Sequence, residues 1–334
     1  MLTAAMACAF GCVGTSAHAG EFSFGGKMFA EASHAEQSDH VAQTSSSDTD
    51  ADLKRLYLDA NSAFDSDWSA HFTADVNWLR GHRGADIWLR HLYLQRRFAG
   101  ATIVRVGVAD MPVMSLTSKW YGYRYVDPVG ASLAKIDSSA DWGVHATTHL
   151  AAGVDMAVSV VTGGGYKRPD TGRRAGGEAL LSWQPGKHTV LALGGYDGQL
   201  AADDSAAHHL YHTARRVDLM VAYADETWRF GTRYSYASNW ANLYSVRSDR
   251  LRNLSTWASV RVAPQWSLFA RYDYTDSSVL IDPSRKARYA NAGVEWQPAK
   301  RLRLALVFKH TAQERADDTI RSGNETGIWS EWSF

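Results

Sequence analysis

The alternation of short and long connections between strand-like segments most constrains what this chain can fold into. The short connections are 64–67, 98–101, 150–153, 184–187, 224–227, 263–266 and 297–300. The long polar connections are 34–52, 80–85, 110–138, 163–172, 198–211, 238–251, 277–286 and 313–323. A soluble sandwich or barrel has no reason to lengthen every second connection, whereas a membrane barrel has tight turns at one rim and long loops at the other.

The segments between these connections alternate with the two-residue period of a β-strand. Residues 301–309, for example, place Leu302, Leu304, Leu306 and Phe308 on one face, with Arg301 and Lys309 on the other. Aromatic residues repeatedly close both ends of the apolar face, as they do at the two lipid interfaces of a membrane barrel. We therefore predict an all-β fold, a transmembrane antiparallel β-barrel of about sixteen strands with short periplasmic turns and long external loops.

These strands are predicted at nine to thirteen residues each, long enough for a tilted membrane crossing. The predicted ranges are 22–33, 53–63, 67–79, 86–98, 101–109, 139–150, 153–162, 173–183, 187–197, 212–224, 227–237, 252–262, 265–276, 287–297, 301–312 and 324–334.

Charge and hydropathy exclude two other classes of protein. The chain has 334 residues, with 35 basic and 35 acidic side chains and a formal net charge of +0. A nucleic-acid-binding domain is normally markedly basic, so no nucleic-acid partner is expected. No apolar run outside the N-terminus is long enough for a membrane-spanning helix.

The N-terminus carries the features of an export signal. Residues 1–19 are small and apolar and end in Ala17-His18-Ala19, which predicts cleavage before Gly20 and a single barrel over 20–334. Both cysteines, Cys8 and Cys12, lie within this signal, so neither a disulfide scaffold nor a cysteine-based site is expected in the mature protein. The final strand ends in Phe334, which resembles the terminal signature of proteins inserted into the outer membrane of Gram-negative bacteria. We expect export through the periplasm to that membrane.

If the apolar faces meet lipid, the opposite faces line a lumen that is biased towards positive charge. The basic residues predicted to line the pore and set its selectivity are Arg55, Arg105, Arg229, Arg233, Arg261, Arg271, Arg301, Arg303 and Lys309. Fewer acidic residues are predicted on these inward faces, and many of the other acidic residues lie in predicted external loops. Charged rings select ions in pores, so this bias favours anions. The alternative is that these charges pair across strands and only fill the interior.

The longest connection, 110–138, contains the sequence WYGYRYVDPV and is the third external loop by the up-down count. We predict that it folds into the lumen as a constriction. Tyrosine hydroxyls and two cations would line its rim, at Lys119, Tyr121, Tyr123, Arg124 and Tyr125. The alternative places this loop outside the lumen or at a subunit contact.

Three stretches resemble outer-membrane porins of the phosphate-selective and general Gram-negative families. They are FSFGGKMFA, KRLYLDANSAFDSDWSAHFTADVN and HLYLQRRFAGATIVRVGVADMPVMSL…YGYRYVDP, and the similarity is clearest over 21–130. The resemblance implies a sixteen-stranded homotrimeric channel with an inward third loop, in contact with outer-membrane lipid and lipopolysaccharide. It implies passive diffusion of small hydrophilic solutes, with the arginines favouring anions and phosphate among them.

Other chemistry is poorly supported by the sequence. His208, His209 and His212 could ligate a metal, but they lie in a predicted external loop without a fixed fourth ligand. No catalytic motif of the types G-x-S-x-G or H-E-x-x-H occurs. We therefore expect no enzymatic activity, no cofactor and no metal. The alternatives left open are a barrel enzyme of the phospholipase or protease type, for which His71, His91, His145 and His149 are available, and a plugged structural barrel.

Overall fold

The structure, a computed structural model, describes residues 21–78, 84–99, 101–167, 175–198, 213–240, 247–316 and 318–334. Within these residues, sixteen antiparallel strands form one closed barrel, in which each strand pairs with its neighbours in sequence and β1 pairs with β16. The predicted all-β barrel and its strand number are therefore confirmed. The predicted signal segment, 1–19, lies outside the described residues.

The first eight strands are β1 (Phe22–Asp39), β2 (Thr44–Ala63), β3 (Trp68–Trp78), β4 (Ala85–Phe98), β5 (Thr102–Asp110), β6 (Ala140–Ala151), β7 (Val154–Val161) and β8 (Gly176–Trp183). The second eight are β9 (Thr189–Gly198), β10 (Ala214–Ala224), β11 (Trp228–Ser238), β12 (Arg250–Ala263), β13 (Trp266–Asp276), β14 (Lys286–Ala299), β15 (Leu302–Arg315) and β16 (Asp318–Ser333). Two helices, α1 (Pro112–Tyr121) and α2 (Gly130–Leu133), lie between β5 and β6. Among the described residues, no helix is long and apolar enough to cross a membrane.

Two of the predicted long loops are instead extensions of the barrel wall. The predicted loop 34–52 is a hairpin in which β1 and β2 remain paired as far as Asp39 and Thr44. Likewise, β15 and β16 remain paired out to Arg315 and Asp318, within the predicted loop 313–323. Both faces of these extensions are polar, so the hydrophobic alternation that marks a strand in the sequence stops while the backbone ladder continues.

The outer surface of the barrel carries a broad apolar face. Large side chains such as Leu306, Leu219 and Val160 stay more than half exposed, whereas their sequence neighbours point inward. We call the end of the barrel where the short turns join the strands the tight-turn rim. Exposed Trp residues lie at this rim, and Trp266 stacks on Trp296 with ring centroids 5.9 Å apart. A contiguous exposed apolar face of this extent marks a surface that contacts lipid or protein.

Hydrogen bonds between the first and the last strand close the barrel. The backbone N–H of Phe334 donates to the carbonyl of Gly26 at 3.0 Å, and the N–H of Gly26 donates back to Phe334 at 3.1 Å. A side chain at Gly26 would collide with the ring of Phe334. The terminal strand therefore has every edge paired, as a closed barrel requires.

Candidate functional site: the lumen and its inner segment

The segment between β5 and β6 lies inside the barrel. Helix α1 contacts β7, β8, β10 and β11, and α2 contacts β12. The turn between the helices bonds to strands further round the wall, since Lys54 of β2 and Lys309 of β15 both reach the carbonyl of Val126, at 3.1 and 3.4 Å. A single segment can reach inward-facing side chains on so many strands only from within the lumen. We call residues 111–138 the inner segment.

The local sequence explains how the inner segment begins and turns. Pro112 occupies the first turn of α1, where its missing N–H costs no hydrogen bond. Gly122 ends the helix in the left-handed conformation (φ 79°), which a residue without a Cβ adopts without strain. Five residues of α1 are buried against the wall: Val113, Met114, Thr117, Trp120 and Tyr121. The helix is thus fixed by apolar contacts along its length.

The three tyrosines of WYGYRYVDPV anchor the inner segment. Tyr123 stacks on Phe269 with centroids 4.3 Å apart, and Tyr121 meets Trp257 edge-on at 6.0 Å. Tyr125, fully buried, donates its hydroxyl to Glu295 at 2.8 Å. This differs from the expectation that their hydroxyls line a pore rim. Aromatic rings bury a large area, and the apolar patch offered by β12 and β13 accommodates them.

The wall behind the inner segment, which we call the packed wall, is formed by β8 and β10–β15. Arg216 lies 2.5 Å from Glu178 and 2.6 Å from Asp218, and donates to the carbonyl of Ile136 at 2.6 Å. Each of these side chains is almost fully buried. Buried charges are tolerated when they are paired and hydrogen-bonded, so this cluster supports the inner segment structurally.

Two of the predicted selectivity residues, Arg233 and Arg271, belong to this packed wall. Arg233 pairs with Asp218 at 2.7 Å and with Asp137 of the inner segment at 2.9 Å. Arg271 pairs with Asp273 at 2.5 Å and donates to the carbonyl of Pro128 at 2.5 Å. Their exposures are 1% and 3%, so neither guanidinium faces the open lumen.

Arg303 and Lys309, also predicted to line the pore, hold the turn of the inner segment. Arg303 lies 2.5 Å from Glu295 and donates to the carbonyl of Gly122 at 2.9 Å. Lys309 pairs with Asp127 at 2.9 Å. Both residues also line cavities: Arg303 lines one beside the inner segment, and Lys309, although nearly buried, lines another of about 650 Å³.

On the opposite side of the lumen, strands β2–β5 form what we call the open wall. Here Arg55 and Arg90 each donate to the hydroxyl of Tyr57 at 2.8 Å. Arg124 of the inner segment lines the same cavity as Tyr57 and Arg90. Arg90 also pairs with Asp110 at 3.1 Å, and Arg55 lies 3.7 Å from Asp75. Three guanidinium groups thus converge across the space between the inner segment and the open wall.

A cavity of about 390 Å³ occupies this space. Its basic lining residues are Lys27, Arg90, Lys119, Arg124 and Arg303, and its acidic ones are Asp59, Asp110 and Glu331. Within the described residues, no carboxylate oxygen lies within 4.0 Å of the Lys119 ammonium or the Arg124 guanidinium. Cations without a close counter-ion leave a local positive field that an anionic solute could enter.

The remaining predicted pore residues lie nearer the tight-turn rim. Arg229 donates to the carbonyl of Lys119 at 3.5 Å and, with the exposed Arg261, lines a second cavity on that side. Arg105 donates to Gln95 at 2.8 Å. Arg301 is exposed in the turn between β14 and β15. These four residues are spread round the wall and form no single cluster.

Two lumen cations, Lys54 and Arg90, were missed because strict alternation places them on the outer face. A β-bulge in β2, where pairing shifts opposite Phe29 and Glu31, turns Lys54 inward to lie 2.8 Å from Glu31. A second bulge, opposite Thr73 and Ala74, turns Arg90 inward beside His91. Each bulge inserts one extra residue and re-aims a side chain. Arg216 was also missed, although it shares the parity of Asp218 on β10.

No protein-family model and no curated protein matches the sequence. The fold is similar to that of several solved outer-membrane proteins. An anion-selective porin from Comamonas acidovorans superposes with a TM-score of 0.71 at 12% identity, over 94% of this chain and 100% of that one. The channel DcaP of Acinetobacter baumannii gives 0.67 at 14%, over 96% and 99%, and OmpT of Vibrio cholerae gives 0.66 at 13%, over 96% and 99%. At these identities the similarity establishes the barrel fold.

Proposed function

We propose that the protein is an outer-membrane porin, a passive channel for small hydrophilic solutes that prefers anions, phosphate among them. The observation that carries the proposal is that Arg55 and Arg90 both donate to the hydroxyl of Tyr57, and that Arg90 and Arg124 line the 390 Å³ cavity beside it. Sixteen-stranded barrels are wide enough to hold an aqueous channel. The exposed apolar outer face and its Trp rim fit a lipid bilayer.

The porin proposal draws support from the position of the inner segment. It is fixed to the packed wall and leaves a space beside the cationic open wall, so solutes would pass between the two. The similar protein from Comamonas acidovorans is an anion-selective porin, and OmpT of Vibrio cholerae has a trimer form. We propose a homotrimer in the outer membrane for this chain as well.

The residues of the barrel wall give little support to an enzymatic activity. His145 lies 2.8 Å from the hydroxyl of Ser159, the arrangement of a nucleophile and its base. However, the exposures of the two residues are 4% and 0%. A substrate could not reach this pair, so we propose that it is a structural hydrogen bond.

Reversal potentials in planar bilayers under a salt gradient test the channel. We expect an anion-selective conductance in which Arg124→Ala lowers the anion-to-cation permeability ratio about fivefold. A unit charge near a permeating ion is worth about 1 kcal/mol in water, and that energy corresponds to about a fivefold change. Arg215→Ala, at an exposed arginine paired with Asp197 on the outer face, is the matched control and should leave the ratio unchanged.

Cation selectivity of the parent protein, unchanged in the Arg124→Ala variant, would overturn the anion preference. Absence of conductance in a correctly folded barrel would favour a plugged structural role. Hydrolysis of lipid or peptide by the purified protein would revive the enzymatic alternative.

A further inference from the structure

Four polar side chains converge on one point of the open wall. Cross-strand pairing sets Asp59 of β2 opposite Thr73 of β3, and Thr73 opposite His91 of β4. His71 lies two residues before Thr73 and therefore on the same, inward face. The register of three adjacent strands thus brings one carboxylate and two imidazoles together around a hydroxyl.

The distances within this cluster are short. The Thr73 hydroxyl donates to Asp59 Oδ1 at 2.5 Å, and His71 Nε2 and His91 Nδ1 each lie 2.9 Å from the same hydroxyl oxygen. One ligand atom from each of Asp59, His71 and His91 lies within 4.8 Å of the others.

The outer nitrogens of both imidazoles are also engaged, which assigns the tautomers. Asn61 Oδ1 accepts a hydrogen bond from His71 Nδ1, and Asp110 Oδ1 accepts one from His91 Nε2 at 2.9 Å. A neutral imidazole has one N–H, so the lone pairs of His71 Nε2 and His91 Nδ1 both face the shared point. Three lone pairs therefore surround the single hydroxyl proton of Thr73, which can satisfy only one of them.

We propose that Asp59, His71 and His91 form a binding site for a divalent transition-metal ion. The Thr73 hydroxyl oxygen occupies the shared point in this structure, so a cation enters once Thr73 rotates about χ1, and it then satisfies all three lone pairs at once. Two imidazole nitrogens and one carboxylate oxygen suit Zn²⁺, Cu²⁺ or Ni²⁺, whereas Mg²⁺ and Ca²⁺ prefer oxygen ligands. Asp110 and Asn61 supply the outer hydrogen bonds that orient ligating histidines in metal sites.

Small side-chain rotations complete the geometry. Ligands at about 2.0–2.2 Å from Zn²⁺ in a tetrahedron lie about 3.3–3.6 Å apart. Because the three ligand atoms already lie within 4.8 Å of one another, binding draws them together by no more than about 1.5 Å. The three residues are each partly exposed. Asp59 and His91 line the 390 Å³ cavity, and His71 lines the cavity next to it, so the ion can arrive from the lumen.

Of the cations nearby, Arg90 and Arg105 are engaged by other groups, whereas Lys119 and Arg124 line the same cavity without a close carboxylate among the described residues. Arg90 is paired with Asp110 at 3.1 Å, and Arg105 is engaged by Gln95 at 2.8 Å. A bound ion would add two positive charges to the wall and leave a coordination position open to the lumen. If the proposed channel function holds, the occupied site should strengthen the preference for anions.

Zn²⁺ titration of the full chain in detergent micelles by isothermal calorimetry tests the site. His208, His209 and His212 would be replaced by Ala in every protein tested, because they offer a second set of imidazoles. We expect one Zn²⁺ per chain, and a loss of affinity of at least about 100-fold in H71A/H91A, because removing ligands should cost no less than outer-shell changes do. The matched control H149A/H310A, at two exposed hydrogen-bonded histidines, should bind Zn²⁺ normally.

A second variant keeps the proposal testable if H71A/H91A fails to fold. Asn61→Leu retains all three ligands and removes only the acceptor that fixes the His71 tautomer, so we expect about 10-fold weaker binding. Co²⁺ absorption spectra provide a second readout, since visible ligand-field bands should appear in the parent protein and disappear in H71A/H91A. Unchanged affinity in both variants, or no stoichiometric binding in the parent, would overturn the site.

The metal site and the channel can fail separately. A protein that binds Zn²⁺ but conducts no ions would overturn the proposed function and leave the metal site standing. A protein that conducts ions, but whose reversal potential and Zn²⁺ content are both unaffected by added Zn²⁺, would overturn the metal site and leave the proposed function standing.

Discussion

On the packed wall, Arg216, Arg233 and Arg271 each lie within 2.9 Å of a carboxylate oxygen, whereas on the open wall Arg55 and Arg90 share the hydroxyl of Tyr57. The packed arginines are almost fully buried beneath the inner segment. Arg90 of the open wall and Arg124 across the gap line a cavity. The same residue type therefore supports the inner segment on one side and shapes the field of the lumen on the other.

Burial explains this difference between the walls. A charge removed from water needs a close partner of opposite sign, because its desolvation is otherwise too costly. Arg90 of the open wall is buried and likewise pairs with Asp110 at 3.1 Å, whereas the half-buried Arg124 beside the cavity has no carboxylate within 4.0 Å among the described residues. Substitutions at the packed wall should therefore change stability first, and substitutions at the open wall should change selectivity first.

The largest effect is expected for Arg233→Met. This change leaves the buried carboxylates of Asp218 and Asp137 without their shared cation, so we expect the free energy of unfolding to fall by about 3–5 kcal/mol. Urea unfolding in detergent micelles, followed by Trp fluorescence, measures it. Arg215→Met removes an exposed pair with Asp197 and should cost no more than about 1 kcal/mol. Equal losses in the two variants would contradict the role assigned to the packed wall.

The next largest effect is expected for Gly122→Ala at the end of α1. Gly122 adopts φ 79°, which costs a residue with a Cβ about 1–2 kcal/mol. The added methyl group would also displace the Arg229 guanidinium. Gly186→Ala, in the tight turn between β8 and β9, meets no atom within 4 Å and serves as the control in the same unfolding experiment. A similar change in both would argue against a strained turn in the inner segment.

A smaller loss is expected for Tyr125→Phe. The substitution removes the buried hydrogen bond to Glu295 and keeps the ring, so we expect a loss of about 1 kcal/mol in unfolding free energy. Tyr272→Phe, at an outward-facing ring that is 46% exposed, should be nearly neutral. If the two variants behave alike, Tyr125 holds the inner segment through its ring alone.

The smallest effect on stability is expected for Arg124→Ala on the open side of the inner segment. With no close carboxylate among the described residues, its loss should change the unfolding free energy by only about 0.5 kcal/mol. The same variant should still lower anion selectivity in bilayers. A loss of unfolding free energy as large as that of Arg233→Met would mean that Arg124 supports the inner segment. The arginines on the two sides of the lumen would then have the same structural role.

Alternation in the sequence was enough to find all sixteen strands, because one face of each strand is apolar along its central part. Alternation did not identify the strand residues beyond the point where the apolar face ends and both faces are polar. The predicted loops 34–52 and 313–323 belong to extended hairpins, since their polar residues carry no mark of the ladder that joins them. Parity also placed Lys54 and Arg90 on the wrong face, because a β-bulge leaves no signal in hydrophobicity.

The sequence by itself determined the barrel, its strand number and the parity of most inward residues, since these depend on local alternation and on the lengths of connections. Only the tertiary structure decided which inward cations are paired and which face the lumen. Arg233 and Arg105 both alternate inward on predicted strands, yet Arg233 pairs with Asp218 whereas Arg105 donates to Gln95. Their surroundings depend on where the inner segment folds back against the wall, and that position is fixed by contacts between residues far apart in the chain.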